Sequence, residues 1–217
     1  MIHLDILPAA QRAFWEEELG VLPAGWVLYG GTAIALHLGH RQSRDFDFFS
    51  SDELDRVALR RSCPLLAGAK TLQDEPNTLT VIAEKAGAPI KVSFFGGIDF
   101  GRVGEPVAIN NAARIASRLD LLGTKLATVT QRVEPRDYID IAALLASGLT
   151  INEGVAALLA LYGPRASGVQ SVKTIAWFQD GDLERLLPAD VREVLTTAAA
   201  TYDPRTPPAP KRSQRLD

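Results

Sequence analysis

The stretch "YGGTAIALHLGHRQSRDFDFFS", Tyr29 to Ser50, decides how the rest of the chain is read. Trp26 to Tyr29 is a short apolar run with strand character, and Gly30-Gly31 breaks it. Thr32 to Leu38 reads as a helix that ends near Gly39. Asp45 to Phe49 then reads as a second strand. Side chains two apart in a strand share a face. Asp45 and Asp47 therefore project one way, and Phe46 and Phe48 project the other way, toward a core. Aspartate is rare in a segment otherwise suited to burial.

Two carboxylates on one strand face repel each other. A shared proton, basic neighbours or a hard divalent cation relieves that repulsion. Mg2+ (or Mn2+) accepts a few carboxylate oxygens and takes its remaining ligands from water and substrate phosphates. A Gly-Gly turn entering a helix lets backbone N–H groups approach a phosphate closely, and the Thr32 hydroxyl is placed to assist. Strand, Gly-Gly, helix and a strand bearing D-x-D together describe a site for a nucleoside triphosphate (NTP) and its metal. The plainer alternative is a simple turn, with Asp45 and Asp47 paired to Arg41, Arg44 or lysines.

A second block, "DLLGTKLATVTQRVEPRDYIDIAALL", spans Asp120 to Leu145. A continuous helix from Asn111 to Gln131 would place Lys125 and Arg132, seven residues apart, along one face. Such cations suit the negative charge that develops on a pyrophosphate leaving group. Asp137 and Asp140 share a face at the start of the next helix, Arg136 to Ala146, with Pro135 in its first turn. Either acid would orient Lys125 or act as a base. The alternative is an acid pair complementing the helix dipole.

The two blocks carry a resemblance. Hydrophobic-Gly-Gly, thirteen residues, then Asp-hydrophobic-Asp-hydrophobic is similar to the signature of the DNA-polymerase-β-like nucleotidyltransferase superfamily. More narrowly, the first block resembles the first motif of the AbiEii/AbiGii nucleotidyltransferase toxin family. The second, with Lys125, Arg132, Arg136, Asp137 and Asp140, resembles that family's later motifs. The resemblance covers roughly the first 150 residues. It implies catalytic Asp45, Asp47, Lys125 and Asp137, with Asp45 and Asp47 as metal ligands. Gly30, Gly31, Thr32 and Arg132 would bind the nucleotide. It also implies a toxin-like role, tRNA or another RNA as acceptor, and a cognate antitoxin as partner.

Two departures stand out. Many superfamily members carry a third carboxylate on a later strand, and the matching position in "PIKVSFFGG" is Ser93. Ser93 favours a rival reading, a catalytically inactive module of the same fold that binds nucleotide or protein. A transferase acting on a small molecule would use the same site chemistry. The part after Leu145 is also short for shaping an acceptor site.

Outward from these blocks, the first half mixes strands and helices. Strand-like runs fall at Lys70–Gln73, Thr78–Glu84 and Ile90–Phe95, with an edge strand expected within Val103–Ile109. A helix capped by Ser51 or Asp52 is expected to run to Ser62. The second half is helical. The expected fold is α+β, a nucleotidyltransferase-like mixed-sheet core followed by an all-helical C-terminal portion. The expected divisions are a core at 1–110, a helical portion at 111–203 and a Pro-rich, basic tail at 204–217 without regular structure.

The 217 residues are 47% hydrophobic and 23% charged, an ordinary globular balance. A net charge of −3 argues against a wholly electrostatic nucleic-acid binder. The single cysteine, Cys63, leaves no internal disulfide and suits a reducing cytoplasm. No run approaches the ~18 apolar residues of a membrane span, and the first residues lack a signal-peptide pattern. His3, His37 and His40 have no metal-ligand company in sequence.

Overall fold

The computed structural model describes residues 2–109, 114–205 and 210–217. The chain folds into two compact units. The first comprises Met1–Gly101, Glu105–Ser117 and Gln214–Asp217, and the second comprises Arg102–Gly104 and Arg118–Ser213. The boundary expected at residue 110 and the helix start expected at Asn111 lie outside the described residues.

In the first unit the order is α1 (Ala9–Glu17), β1 (Val27–Tyr29), α2 (Gly30–Leu38), β2 (Asp45–Phe49), α3 (Arg56–Ser62), β3 (Lys70–Glu75), β4 (Thr78–Lys85), β5 (Ala88–Phe95), β6 (Val107–Ala108) and β7 (Arg114–Ile115). The strands form one mixed sheet in the order β3-β4-β5-β2-β1-β7-β6. β2 is central, antiparallel to β1 and parallel to β5. Its alternation sends Phe46 and Phe48 into full burial. Phe46 meets Phe14 of α1 at a ring separation of 4.8 Å, and Phe48 stacks on Phe94 of β5 at 5.4 Å. Burying a large apolar side chain is worth roughly 1.5–3 kcal/mol, so this aromatic layer fixes the register and hence the face on which Asp45 and Asp47 emerge.

In its described part, the helix expected from Asn111 begins later, at Arg118. Arg114 and Ile115 form β7, which pairs parallel with Val27 and Leu28 of β1, and Ile115 is fully buried. A helical period is visible in sequence there, but sheet pairing and burial override it. α3 begins later than expected, because Asp55 is its cap and accepts from Ala58 N–H at 2.9 Å. Cys63 is wholly buried, and burial with the nearby Glu18 charge pushes its thiol up to about 11, so it acts as a core hydrophobe.

The second unit is helical: α4 (Arg118–Thr128), α5 (Pro135–Ala146), α6 (Ile151–Tyr162), α7 (Gly168–Ile175), α8 (Leu183–Leu186) and α9 (Ala189–Ala200). α4 and α6 approach closely at Gly154, where an added Cβ would lie 2.7 Å from the Leu122 side chain. Asp120, buried in the first turn of α4, accepts from Val103 N–H at 2.7 Å and Gly104 N–H at 3.0 Å, fixing that short segment. Among the described residues no single helix is long and apolar enough to cross a membrane.

The segment read as a tail has no helix or strand in its described part, yet its last residues are held. Leu216 is fully buried, its N–H donates to Ser51 Oγ at 3.0 Å, and Arg215 makes two hydrogen bonds to Asp52 at 2.8 and 2.9 Å. A basic composition predicts solvation, but one leucine with a place in the core outweighs it.

Candidate active site

In the first unit the candidate residues gather around β2. Tyr29, Asp47, Ser93 and Thr80 are paired neighbours across β1, β2, β5 and β4, so they form one row on one face. Asp45 and Lys91 form the next row, and Phe49 and Phe95 lie on the other side of the Asp47 row. Asp45 has half of its side chain exposed (51%), with Lys91 Nζ 3.9 Å from its Oδ2. Asp47 is half-buried. Ser93 and Thr80 are buried. The face changes character along its length. Tyr29 and Phe49 stack at 4.9 Å, with Phe100 edge-on to Tyr29 at 5.8 Å, so an aromatic cluster closes one end and the carboxylates occupy the other.

The glycine turn is built against this row. Gly30 has φ +71°, and an added Cβ there would sit 2.9 Å from Asp47 Oδ2. Only a residue without a side chain permits both the backbone conformation and the carboxylate's approach. α2 starts at Gly30, so its first N–H groups lie beside Asp47. Thr32 is buried, with Oγ1 2.7 Å from Ser43 Oγ and hydrogen-bonded to the Asp45 carbonyl. Its hydroxyl thus ties α2 to the start of β2. His37 binds the Ala116 carbonyl at 2.8 Å, and His3 packs under Gly39, so both imidazoles have structural surroundings.

The donor set suits a hard cation. Two carboxylates share a face, a glycine leaves room for one of them, and oxygen donors of this kind fit Mg2+ or Mn2+ with positions left for water and phosphate. Among the described residues no group of three or more His, Cys, Asp or Glu side chains forms a metal cluster. In register, Ser93 stands beside Asp47, where a third carboxylate would join the pair.

In the second unit the candidate residues form a closed ionic cluster. Lys125 Nζ lies 2.6 Å from Asp137 Oδ1 and 2.9 Å from Asp140 Oδ2. Arg132 Nε and Nη2 donate to Asp137 Oδ2 and Oδ1 at 2.8 and 3.1 Å. The two aspartates and Lys125 are buried, whereas the Arg132 side chain is 60% exposed. α4 ends at Thr128, so Arg132 reaches the cluster from the turn that follows rather than along one helix face. The β-branched run Thr128-Val129-Thr130 and the approach to Pro135 favour that early end. Burial pushes the Asp137 carboxyl up, but the Arg132 hydrogen bonds and the Lys125 charge outweigh it and hold the group below its usual range.

The sequence profile described as "Nucleotidyl transferase AbiEii toxin, Type IV TA system" matches residues 14–210. The chain belongs to the AbiEii nucleotidyltransferase toxin family. An uncharacterized protein of Aquifex aeolicus is 31% identical over 121 residues, which are 54% of this chain and 56% of that protein. The match thus spans little more than half of that relative's length. Two solved structures share the fold of this AbiEii chain. One is JHP933 from Helicobacter pylori, at TM-score 0.59 and 16% identity, covering 88% of this chain and 89% of that one. The other is MenT4, a nucleotidyltransferase toxin from Mycobacterium tuberculosis H37Rv, at TM-score 0.56 and 13% identity, covering 89% and 81%. They support the expected architecture, a mixed sheet with helices and a helical C-terminal portion.

Proposed function

We propose that this protein is a metal-dependent nucleotidyltransferase that transfers a nucleotide from an NTP to an acceptor hydroxyl, as the toxin of a type IV toxin–antitoxin system. The observation that carries this reading is the juxtaposition of Gly30 with Asp47 on the face that also bears Asp45. Asp45 and Asp47 would hold Mg2+ or Mn2+. The bound ion would neutralise phosphate charge and orient the α-phosphorus. The N–H groups of Gly30 and Gly31 face phosphate oxygens, and Thr32 acts by holding the Asp45 backbone in place.

In transfer, the acceptor hydroxyl gives its proton to solvent water, its oxygen forms a bond to the α-phosphorus, the bond to the bridging oxygen of the β-phosphate breaks, and pyrophosphate leaves. In the second unit, Arg132, whose side chain is largely exposed, would present a cation to an anion. Lys125, held between two carboxylates, positions Asp137. Asp137 orients rather than accepts a proton, because its cationic neighbours hold it ionised and weakly basic. RNA, with tRNA foremost, is the proposed acceptor, a cognate antitoxin the proposed partner, and a reducing cytoplasm the proposed setting. Ser93 beside Asp47 favours the second reading, an inactive nucleotide-binding module.

Incubation with each α-labelled NTP, Mg2+ and total RNA tests the proposal. Label on RNA that depends on Mg2+ and on Asp47 is expected. No transfer with any NTP, together with retained nucleotide binding, would favour the inactive module.

A further inference from the structure

Strand β5 offers the carboxylate face no third acid. It offers Ser93 beside Asp47 and Lys91 beside Asp45. A triphosphate carries more negative charge than one divalent ion cancels, so a protein cation beside the metal would help to complete the balance.

Lys91 is placed to supply the remaining cation. Its Nζ lies 3.9 Å from Asp45 Oδ2, well beyond the ~2.7–2.9 Å of a docked charge-assisted bond. Elsewhere in the chain the ammonium of Lys85 meets Glu18 at 2.8 Å and that of Lys125 meets Asp137 at 2.6 Å. Lys91 is half exposed (44%) on a flexible four-carbon stem, so its head can move a few ångströms without disturbing the sheet.

We propose that Lys91 is a triphosphate-binding residue of this site, a cation beside the divalent metal, held near Asp45 until phosphate oxygens arrive. The inference rests on the metal-and-triphosphate reading given above. It makes an opposite-sign prediction that a plain structural counter-ion does not. Lys91 repels the metal in the nucleotide-free protein and attracts the triphosphate in the loaded one.

The test measures Mn2+ binding to nucleotide-free protein by electron paramagnetic resonance, and binding of α,β-methylene analogues of ATP, CTP, GTP and UTP at saturating Mn2+. The wild type should bind Mn2+. Lys91→Gln should bind Mn2+ roughly three- to tenfold more tightly. It should bind the preferred analogue roughly tenfold more weakly. Lys91→Arg should stay within about threefold of wild type for the analogue.

Thermal unfolding of each variant checks that the exposed substitution leaves the fold in place. A Lys91→Gln change in analogue affinity below about twofold, or weaker binding of both ligands, overturns the assignment of Lys91 and leaves the metal site standing. Mn2+ binding that survives Asp45→Asn with Asp47→Asn overturns the metal reading itself, and the Lys91 inference with it.

Discussion

The two units each contain a close pair of aspartates, and they treat them in opposite ways. Asp45 and Asp47 sit on a strand face with side chains at least partly exposed, and the cation nearest Asp45 stands 3.9 Å off. Asp137 and Asp140 sit on a helix, almost fully buried, with Lys125 within 3 Å of both and Arg132 bidentate on Asp137. A buried carboxylate without a partner costs several kcal/mol, so the second pair must be neutralised by the protein itself. The first pair is more exposed, so solvent shares in stabilising its charge. Charge alone therefore does not mark a site. Burial decides whether an acid pair is finished or available.

The largest expected effect tests the available pair. Asp47→Asn keeps the size of the side chain and removes its charge. With Asp45→Asn it should lower label transfer by about a thousandfold or more, with the thermal midpoint unchanged or slightly raised as repulsion is relieved. Transfer, or growth arrest on expression, that survives the double substitution would show that the exposed pair is structural too, and the contrast between the units would collapse.

The finished pair should answer in stability. Lys125→Met removes the ammonium 2.9 Å from Asp140 and 2.6 Å from Asp137. Urea unfolding should show a loss of about 3–5 kcal/mol, the usual consequence of stranding a buried charge. Adding Asp140→Asn should recover part of that loss, because the stranded charge is then gone. If Lys125→Met unfolds as easily as wild type but loses transfer, Lys125 acts on substrate and its cluster is not merely internal.

The pH dependence sharpens the same point. The folded Asp137 carboxyl is held below its ordinary 3.8, so its unfolded form binds a proton first as pH falls. Its stabilisation is fully present above that ordinary value and is lost as pH drops through the depressed folded value. Arg132→Ala removes the hydrogen bonds that hold the group down, so acid unfolding followed by circular dichroism should begin at higher pH. An unchanged acid limb would mean that Lys125 alone sets the state of Asp137.

How much of this could be read from residues follows from which interactions are local. Asp45–Phe49 was legible as a strand with its faces assigned, because alternation with phenylalanine is a property of neighbouring residues. α5 was legible for the same reason, through Pro135 in its first turn. β7 was not, because Ile115 is a strand residue only by virtue of a partner almost ninety positions earlier, Leu28. Resemblance placed Lys125, Arg132 and Asp137 among the functional residues, and spacing put the two cations on one helix. Neither showed that the helix ends at Thr128, or that the four charges satisfy one another. Lys91 is not legible as a site residue in sequence, because it meets Asp45 only through cross-strand register.

The smallest expected effect concerns a third kind of acid, one that is exposed and paired. Asp52 follows the carboxylate strand and is met by Arg215 from the end of the described chain, with both side chains about half exposed or more. The guanidinium holds the Asp52 carboxyl below its usual value, but ion pairs in water are screened and costly to order. Arg215→Ala should therefore leave the thermal midpoint unresolved from wild type, at low and at high salt. The neighbouring Leu216 is fully buried, and Leu216→Ala should cost about 2–5 kcal/mol, as buried leucine truncations do. If Arg215→Ala were instead the more damaging of the two, Asp52 would depend on its partner as Asp137 does. Exposure would then no longer separate the acids that the protein must neutralise from those it can leave to solvent.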